Sequence, residues 1–219
     1  GHEVDVAVGM RYGQPSIRAA MLQLRDAGCE HILTVPLYPQ YSSSTTGTVV
    51  DEVTRVASHL RNQPAMRFIK RFHVDPLYIN PLADKIGAHW AEHGKPQKLV
   101  MSFHGLPQRC TKIGDPYCRD SYETAAALAA RLDLTDDDYQ VTFQSRFGPA
   151  AWLQPYTEPT MEEMAKSGIT KVDVVCPGFV SDCLETLEEI SIEVRETFMN
   201  AGGERFNYIP CLNDDAAWL

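Results

Sequence analysis

The sequence has no run of apolar residues approaching the ~20 that a membrane-crossing helix needs; its longest, such as residues 98–103, are the length of a strand. It has no basic stretch leading into an apolar segment, the pattern of a secretory signal. Six cysteines (Cys29, Cys110, Cys118, Cys176, Cys183, Cys211) stand at irregular spacings without a CxxC pair. Positive charge is scarce. Against 29 Asp and Glu there are 20 Lys and Arg, and the net charge of −9 excludes the basic stripe of a nucleic-acid partner. The chain opens on Gly1-His2 without a methionine, which reads as processing, a tag scar or a fragment.

What is present is ordinary globular material: 219 residues, 44% hydrophobic and 22% charged, enough for one large domain or two small ones. A core of that size needs no disulfides, so a reducing, cytoplasmic setting is expected. Peripheral membrane contact and oligomeric state stay open. Strand-like runs at 4–8, 31–35, 67–70, 98–103, 140–144, 171–176 and 206–209 alternate with helix-like runs at 16–27, 45–61, 77–93, 117–131, 159–166 and 182–199. Short connections between them imply right-handed βαβ units and a mainly parallel sheet, an α/β fold.

The pattern repeats. Arg11-Tyr12-Gly13 is echoed by Arg146-Phe147-Gly148, each followed by a proline, a helix and a glycine stop, Gly28 or Gly168. Each glycine leads into a strand closing on Val35-Pro36-Leu37-Tyr38 or Cys176-Pro177-Gly178-Phe179, then serine-containing turns and a long helix. Landmarks in this order mark a duplication. The second copy has an extra strand and helix (98–131) without counterpart in the first, so a β-α unit is expected to be missing ahead of residue 1.

In an open parallel sheet, ligands bind beyond the carboxyl ends of the strands. His104 stands at such an end. It is either a strand-end histidine bonded to backbone or a base or metal ligand aimed into the crevice, and position alone leaves the two level. Glu185 lies in the first turn of the 182–199 helix, where Asp182-x-x-Glu185 fits a capping box and Leu184, Leu187, Val194 and Phe198 mark the buried stripe. Glu185, Glu189 and Glu193 follow on another face, and spacing alone favours a cap and a solvated stripe. His89-Trp90-Ala91-Glu92-His93 matches H-x-x-E-H, but it closes its helix before Gly94 and has no evident third ligand, so a zinc-hydrolase reading is weak.

Several pieces fall in one order across nearly the whole chain: Arg11-Tyr12-Gly13, residues 39–47 (PQYSSSTTG), residues 102–107 (SFHGLP), Gly114-Asp115-Pro116-Tyr117, Phe147-Gly148-Pro149 with Trp152, and Ser181-Asp182 with residues 184–189 (LETLEE). Together they resemble the ferrochelatases, which insert ferrous iron into protoporphyrin IX to form protohaem, the last step of haem biosynthesis. The resemblance implies two similar Rossmann-like halves with parallel sheets and the porphyrin cleft between them. Residues 1–96 would be the remainder of an incomplete N-terminal half, and 97–219 the C-terminal half with a terminal segment. It implies a lyase with Fe²⁺ as substrate and no required cofactor. His104 and Glu185 become metal ligands and catalytic proton acceptors. Arg11, Tyr12, Tyr41, Trp152 and Phe179 line the porphyrin pocket, and Glu189 continues an acidic path. The family's first strand and the stretch after Leu219 are absent, so a fragment is expected, one that would be inactive by itself if the missing unit is needed.

Two departures bear on metals. Ser43 stands where animal members carry a cysteine ligand, so an animal-type [2Fe–2S] cluster is not expected, though Cys110 and Cys118 leave another placement open. Cys183 stands where many members have histidine, either as a substitute ligand or as a small residue in a first turn; the second is slightly favoured. The alternative functions are a cobalt or other-metal tetrapyrrole chelatase, disfavoured by the Pro39-Gln40-Tyr41-Ser42 run, and the zinc hydrolase of His89, Glu92 and His93.

Overall fold

β-branched and aromatic residues concentrate in short runs, and the strands they form pair only in parallel. The computed structural model describes residues 4–219, which fall into two units dividing between Arg71 and Phe72. In the first, β1 (His31–Thr34) pairs with β2 (Ala65–Phe68), accompanied by α1 (Ile17–Asp26), a π-helical turn Ser43–Gly47 and α2 (Thr48–Ala57). The second is a four-stranded sheet in the order β4-β3-β5-β6, built from β3 (Lys98–His104), β4 (Tyr139–Gln144), β5 (Lys171–Val175) and β6 (Arg205–Tyr208). Its helices are α3 (Pro76–His93), α4 (Gln108–Lys112), α5 (Tyr117–Arg131), α6 (Thr157–Lys166), a π-helix Glu185–Val194 and α7 (Arg195–Asn200).

Alternation along β3 feeds two layers. Leu99, Met101 and Phe103 pack with Tyr78, Leu82 and Ile86 of α3 and Leu128 of α5. Val100 faces Met161 of α6, Ile190 and Val194 of the π-helix, and Phe198 of α7. β3 is therefore covered on both faces, as a central parallel strand must be. Because α3 joins this core, it belongs to the second unit, whereas the sequence reading drew the division after residue 96.

The duplication is visible element by element. Before α1, Met10 N–H donates to Pro15 O (2.7 Å); before α6, Phe143 N–H donates to Pro155 O (2.8 Å). Gly28 and Gly168 take φ of +87° and +95°, and the next residue donates back in both, Cys29 N–H to Leu24 O and Ile169 N–H to Met164 O, each 3.0 Å. A strand, a π-helical segment, a helix and a parallel neighbour strand then follow in each unit. No described strand in the first unit corresponds to β3.

Three expectations change. Residues 4–8 form no strand: Val4, Val6 and Val8 alternate correctly but have no ladder partner among the described residues and lie 63–78% exposed. The helix expected at 45–61 starts as the π turn at Ser43 and ends at Ala57. The 182–199 helix starts only at Glu185, and its capping box does not form, since the Asp182 N–H goes to Asn213 Oδ1 and Leu184 at the cap makes no side-chain bond. Wider π winding also turns the helix, so Thr186, Ile190, Val194 and Phe198 are buried while Leu184 and Leu187 are exposed. Among the described residues no helix is long and apolar enough to cross a membrane.

Asp182 holds the segment before the π-helix instead of capping it. Its Oδ1 accepts from Tyr208 Oη (2.5 Å), Thr186 Oγ1 (3.1 Å) and Cys211 N–H (3.2 Å), and its Oδ2 from Asn213 Nδ2 (2.8 Å). Burial pushes the carboxyl up, but the donors outweigh it and the net shift is downward. The folded value thus lies below the unfolded one, so this stabilisation is present above the unfolded value and is lost as pH falls through the folded one. Asp182→Ala should lower stability by about 1.5–3 kcal/mol at neutral pH in urea unfolding, because its donors lose a charged acceptor. The deficit against wild type should shrink once pH drops below about 3.9. Equal stability at neutral pH would show that the carboxylate does not hold this segment.

Candidate active site

The carboxyl ends of β4, β3 and β5 lie side by side, and the residues just past them carry the polar chemistry of the second unit. His104 ends β3 and is the ladder partner of Gln144, which ends β4. One residue on, Gly105 N–H donates to Gln144 O at 2.8 Å. A Cβ on Gly105 would sit 2.8 Å from that same oxygen and 3.1 Å from the Trp152 ring, so only glycine lets the turn close here.

His104 Nδ1 lies 2.7 Å from Gly105 O. A carbonyl only accepts, so Nδ1 carries the hydrogen, and whenever the ring holds a single proton Nε2 is the nitrogen with the lone pair. The half-buried Phe179 stands beside it, with ring centroids 6.4 Å apart. Glu185 opens the π-helix close enough to His104 to feel its charge. Its carboxyl is held below the usual range by a hydrogen bond from the Cys183 thiol and by its own N–H, against an opposing effect of burial, with His104 adding to the lowering. The Cys183 thiol is pushed up to about 11 by burial and by its bond to Glu185, so it is a neutral donor at neutral pH.

Glu189, one turn on, is clamped. Its carboxylate accepts from Ser145 N–H (2.6 Å), Ser145 Oγ (2.5 Å) and Gln144 Nε2 (3.3 Å). Ser145 reaches it from a φ of +61°, a conformation that costs a non-glycine residue of order 1–3 kcal/mol. Gln144 is the residue that sequence reasoning missed, and the only signal was a polar side chain just before the Ser145-Arg146 landmark. Trp152 is nearly enclosed at 4% exposure, its ring against Phe147 (centroids 5.1 Å) and the Gly105 backbone.

The remaining pocket candidates lie in the first unit. Arg11 Nε donates to Thr48 O (2.9 Å), and its guanidinium lies 4.5 Å from the centre of the exposed Tyr12 ring. The half-buried Tyr41 ring has Lys70 Nζ over it at 4.9 Å. Within the second unit the structure brings His104, Glu185, Glu189, Phe179 and Trp152 to one set of strand ends.

Two other groupings are better explained without a ligand. His89 and His93 stack on each other (centroids 4.4 Å), with His93 Nδ1 on His89 O and His89 Nε2 3.7 Å from the buried Asp173. Glu92 Oε1 comes within 4.0 Å of His93 Nε2, but among the described residues the ligand atoms of His89, Glu92 and His93 do not gather as a set of three. His73, Asp120 and Glu123 bring ligand atoms within 4.8 Å of one another, but they already partner one another and Arg119: His73 Nε2 lies 2.8 Å from Glu123, and Arg119 reaches both carboxylates (3.1 and 3.5 Å).

Comparison with known proteins bears on the fold and on the family. Solved structures with the same fold include SirB from Bacillus subtilis with Fe³⁺ (TM-score 0.68, 18% identity, covering 94% of this chain and 74% of that one). CbiX, the terminal enzyme for biosynthesis of sirohaem in denitrifying bacteria, also matches (TM-score 0.54, 15% identity, 85% and 70% covered). At these identities the likeness is one of fold. In sequence, the chain is 61% identical over 219 residues to the ferrochelatase of Bordetella pertussis and 55% identical to that of Herminiimonas arsenicoxydans. It is covered completely in both cases, and it spans 60% of the length of each relative. A profile of the ferrochelatase family matches residues 1–219, and the chain belongs to that family.

Proposed function

We propose that this chain carries the metal-insertion site of a cytoplasmic ferrochelatase, which places Fe²⁺ in protoporphyrin IX to form protohaem. The observation that carries the reading is the pairing of His104, whose Nε2 lone pair is set by the Nδ1 bond to Gly105, with Glu185, a carboxylate held in its charged form. Relatives named ferrochelatase at 53–61% identity favour iron and porphyrin over the substrates of the sirohydrochlorin-type structural neighbours.

Insertion exchanges Fe²⁺ for two pyrrole protons, so the site must accept two protons and hold a hydrated cation only briefly. Imidazole and carboxylate do both. Two protein ligands hold the cation without enclosing it, so it can leave for the macrocycle. Glu189 places a fixed second carboxylate one turn beyond Glu185, extending the negative path for a cation or for departing protons. Within the second unit, Phe179 offers an apolar face to the ring. Trp152 serves as the wall behind the His104-Gly105 turn.

Anaerobic Fe²⁺ insertion into protoporphyrin by the full-length protein is the direct test. His104→Ala and Glu185→Gln should each lower kcat by about 10²–10⁴-fold, the range for a removed general acid or base. His89→Ala should leave it unchanged. Full activity in His104→Ala would overturn the assignment.

Gly105→Ala makes a narrower test. Its Cβ would press on the Gln144 carbonyl and the Trp152 ring, so the variant should lose about 1–3 kcal/mol in urea unfolding. It should also lose turnover by up to about 10²-fold through displacement of His104. Wild-type kcat in a folded Gly105→Ala protein would show that the turn does not position the histidine.

A further inference from the structure

We propose that Gln144 is a positioning residue that fixes Glu185 and Glu189 relative to His104. The inference rests on the functional reading above and concerns how that site keeps its shape.

Gln144 is 3% exposed, and its amide is used at both ends. Oε1 meets two donors, Ser102 Oγ at 2.7 Å and the Cys176 thiol at 3.6 Å. Nε2 meets two acceptors, the backbone carbonyl of Glu185 at 2.7 Å and Glu189 Oε2 at 3.3 Å. Donors at one end and acceptors at the other allow only one orientation of the amide. Behind it, Ser102 Oγ lies 2.9 Å from Thr157 Oγ1, which lies 3.0 Å from Thr142 Oγ1, all of them buried. The glutamine is thereby anchored in β3, β4 and the start of α6 before it reaches the π-helix.

Three features make this more than a satisfied polar core. First, the Nε2 bond goes to the carbonyl of Glu185 itself, so it restrains rotation of the turn that carries the catalytic carboxylate. Second, Gln144 is the ladder partner of His104 and accepts the Gly105 N–H through its backbone. One residue therefore sets the strand end of the histidine and the helix turn of the glutamate. Third, the next residue, Ser145, spends a left-handed backbone conformation on delivering its N–H and hydroxyl to Glu189. A hydrophobic side chain at 144 would fill the volume without making any of these ties, and the turn would be free to shift by fractions of an ångström.

The test uses the full-length protein with Gln144→Met, which keeps length and packing, and Gln144→Glu, which keeps the acceptor for Ser102 but turns a second carboxylate toward Glu189. Two readouts are taken: kcat and porphyrin KM for metal insertion, and Co²⁺ affinity measured calorimetrically without porphyrin. Thermal melting identifies the variants that fold. In a folded variant we expect kcat to fall by about 10²-fold, with porphyrin KM little changed, as for a small misplacement of reacting groups. Co²⁺ binding should weaken by about 10–100-fold, the usual effect of removing a group that orients ligands. Adding Glu189→Gln to Gln144→Glu should recover part of the lost kcat, because the opposed carboxylates become a carboxylate–amide pair. A loss of stability alone would give none of this rescue. Wild-type kcat and Co²⁺ affinity in folded Gln144→Met would overturn the proposal. If the wild-type protein binds Co²⁺ through His104 and the variants weaken it, yet no porphyrin is metallated, the reaction assignment fails while the positioning role stands. Absence of both binding and turnover in the wild type would overturn the two together.

Discussion

The neighbouring parallel strands β3 and β4 end together, and one backbone hydrogen bond ties the residue after the first to the last residue of the second. In this protein that bond runs from Gly105 to Gln144. It demands a residue without Cβ, because the same oxygen that accepts the hydrogen bond would collide with a side chain. Once it forms, much else follows from backbone geometry. The histidine before the glycine is placed at the very end of the sheet, and its Nδ1 falls on the glycine carbonyl. The glutamine across the ladder is turned toward the helix that follows β5.

That helix is wound wider than an α-helix over Glu185–Val194, with i→i+5 bonding that normally survives only in single-turn pieces. Its intrinsic disadvantage is offset by contacts from outside. Ile190, Val194 and Phe198 are buried against β3 and α6, Asp182 gathers donors from β6 and its following loop, and Ser145 and Gln144 hold Glu189. Glu185 and Glu189 stand about one turn apart on this helix. The unfavourable winding and the left-handed serine thus coincide at Glu185 and Glu189.

The sequence made some of this readable and hid the rest for physical reasons. Gly28 and Gly168 showed as helix stops because positive φ demands glycine, and the echo of Arg-aromatic-Gly was enough to reveal the repeated unit. The parallel sheet followed from strand–helix alternation. The alternating valines of residues 4–8 misled, since a period of two records only which faces a strand would offer, and pairing depends on a neighbour elsewhere in the chain. The π winding was invisible because Leu184, Leu187, Val194 and Phe198 read as an ordinary α-helical stripe. Asp182 and Glu185 matched a capping box by type and spacing, but tertiary donors from Tyr208 and Asn213 took the aspartate. Gln144 carried no local pattern, because its role comes from Ser102, Cys176, Glu185 and Glu189, which are distant in sequence and meet only in the fold. His104 and Glu185 were ambiguous by position, and it was the family resemblance, rather than periodicity, that favoured the ligand reading over the capping one.

The duplication also shows how one scaffold comes to hold two chemistries. In each unit a strand ends at a proline, an irregular stretch follows, and a π-helical segment opens the next helix. In the first unit that segment is Ser43–Gly47, rich in hydroxyls and short enough that backbone N–H groups at its start bond to side chains, as Ser44 N–H does to Ser42 Oγ. In the second it is Glu185–Val194, twice as long and lined with carboxylates. Hydroxyls and amide N–H groups at a helix start favour anionic or neutral oxygen groups, whereas carboxylates favour cations and protons. Duplication supplies the two starting points, and the differences between Ser43-Ser44-Thr45 and Glu185 with Glu189 are the changes that make them unlike.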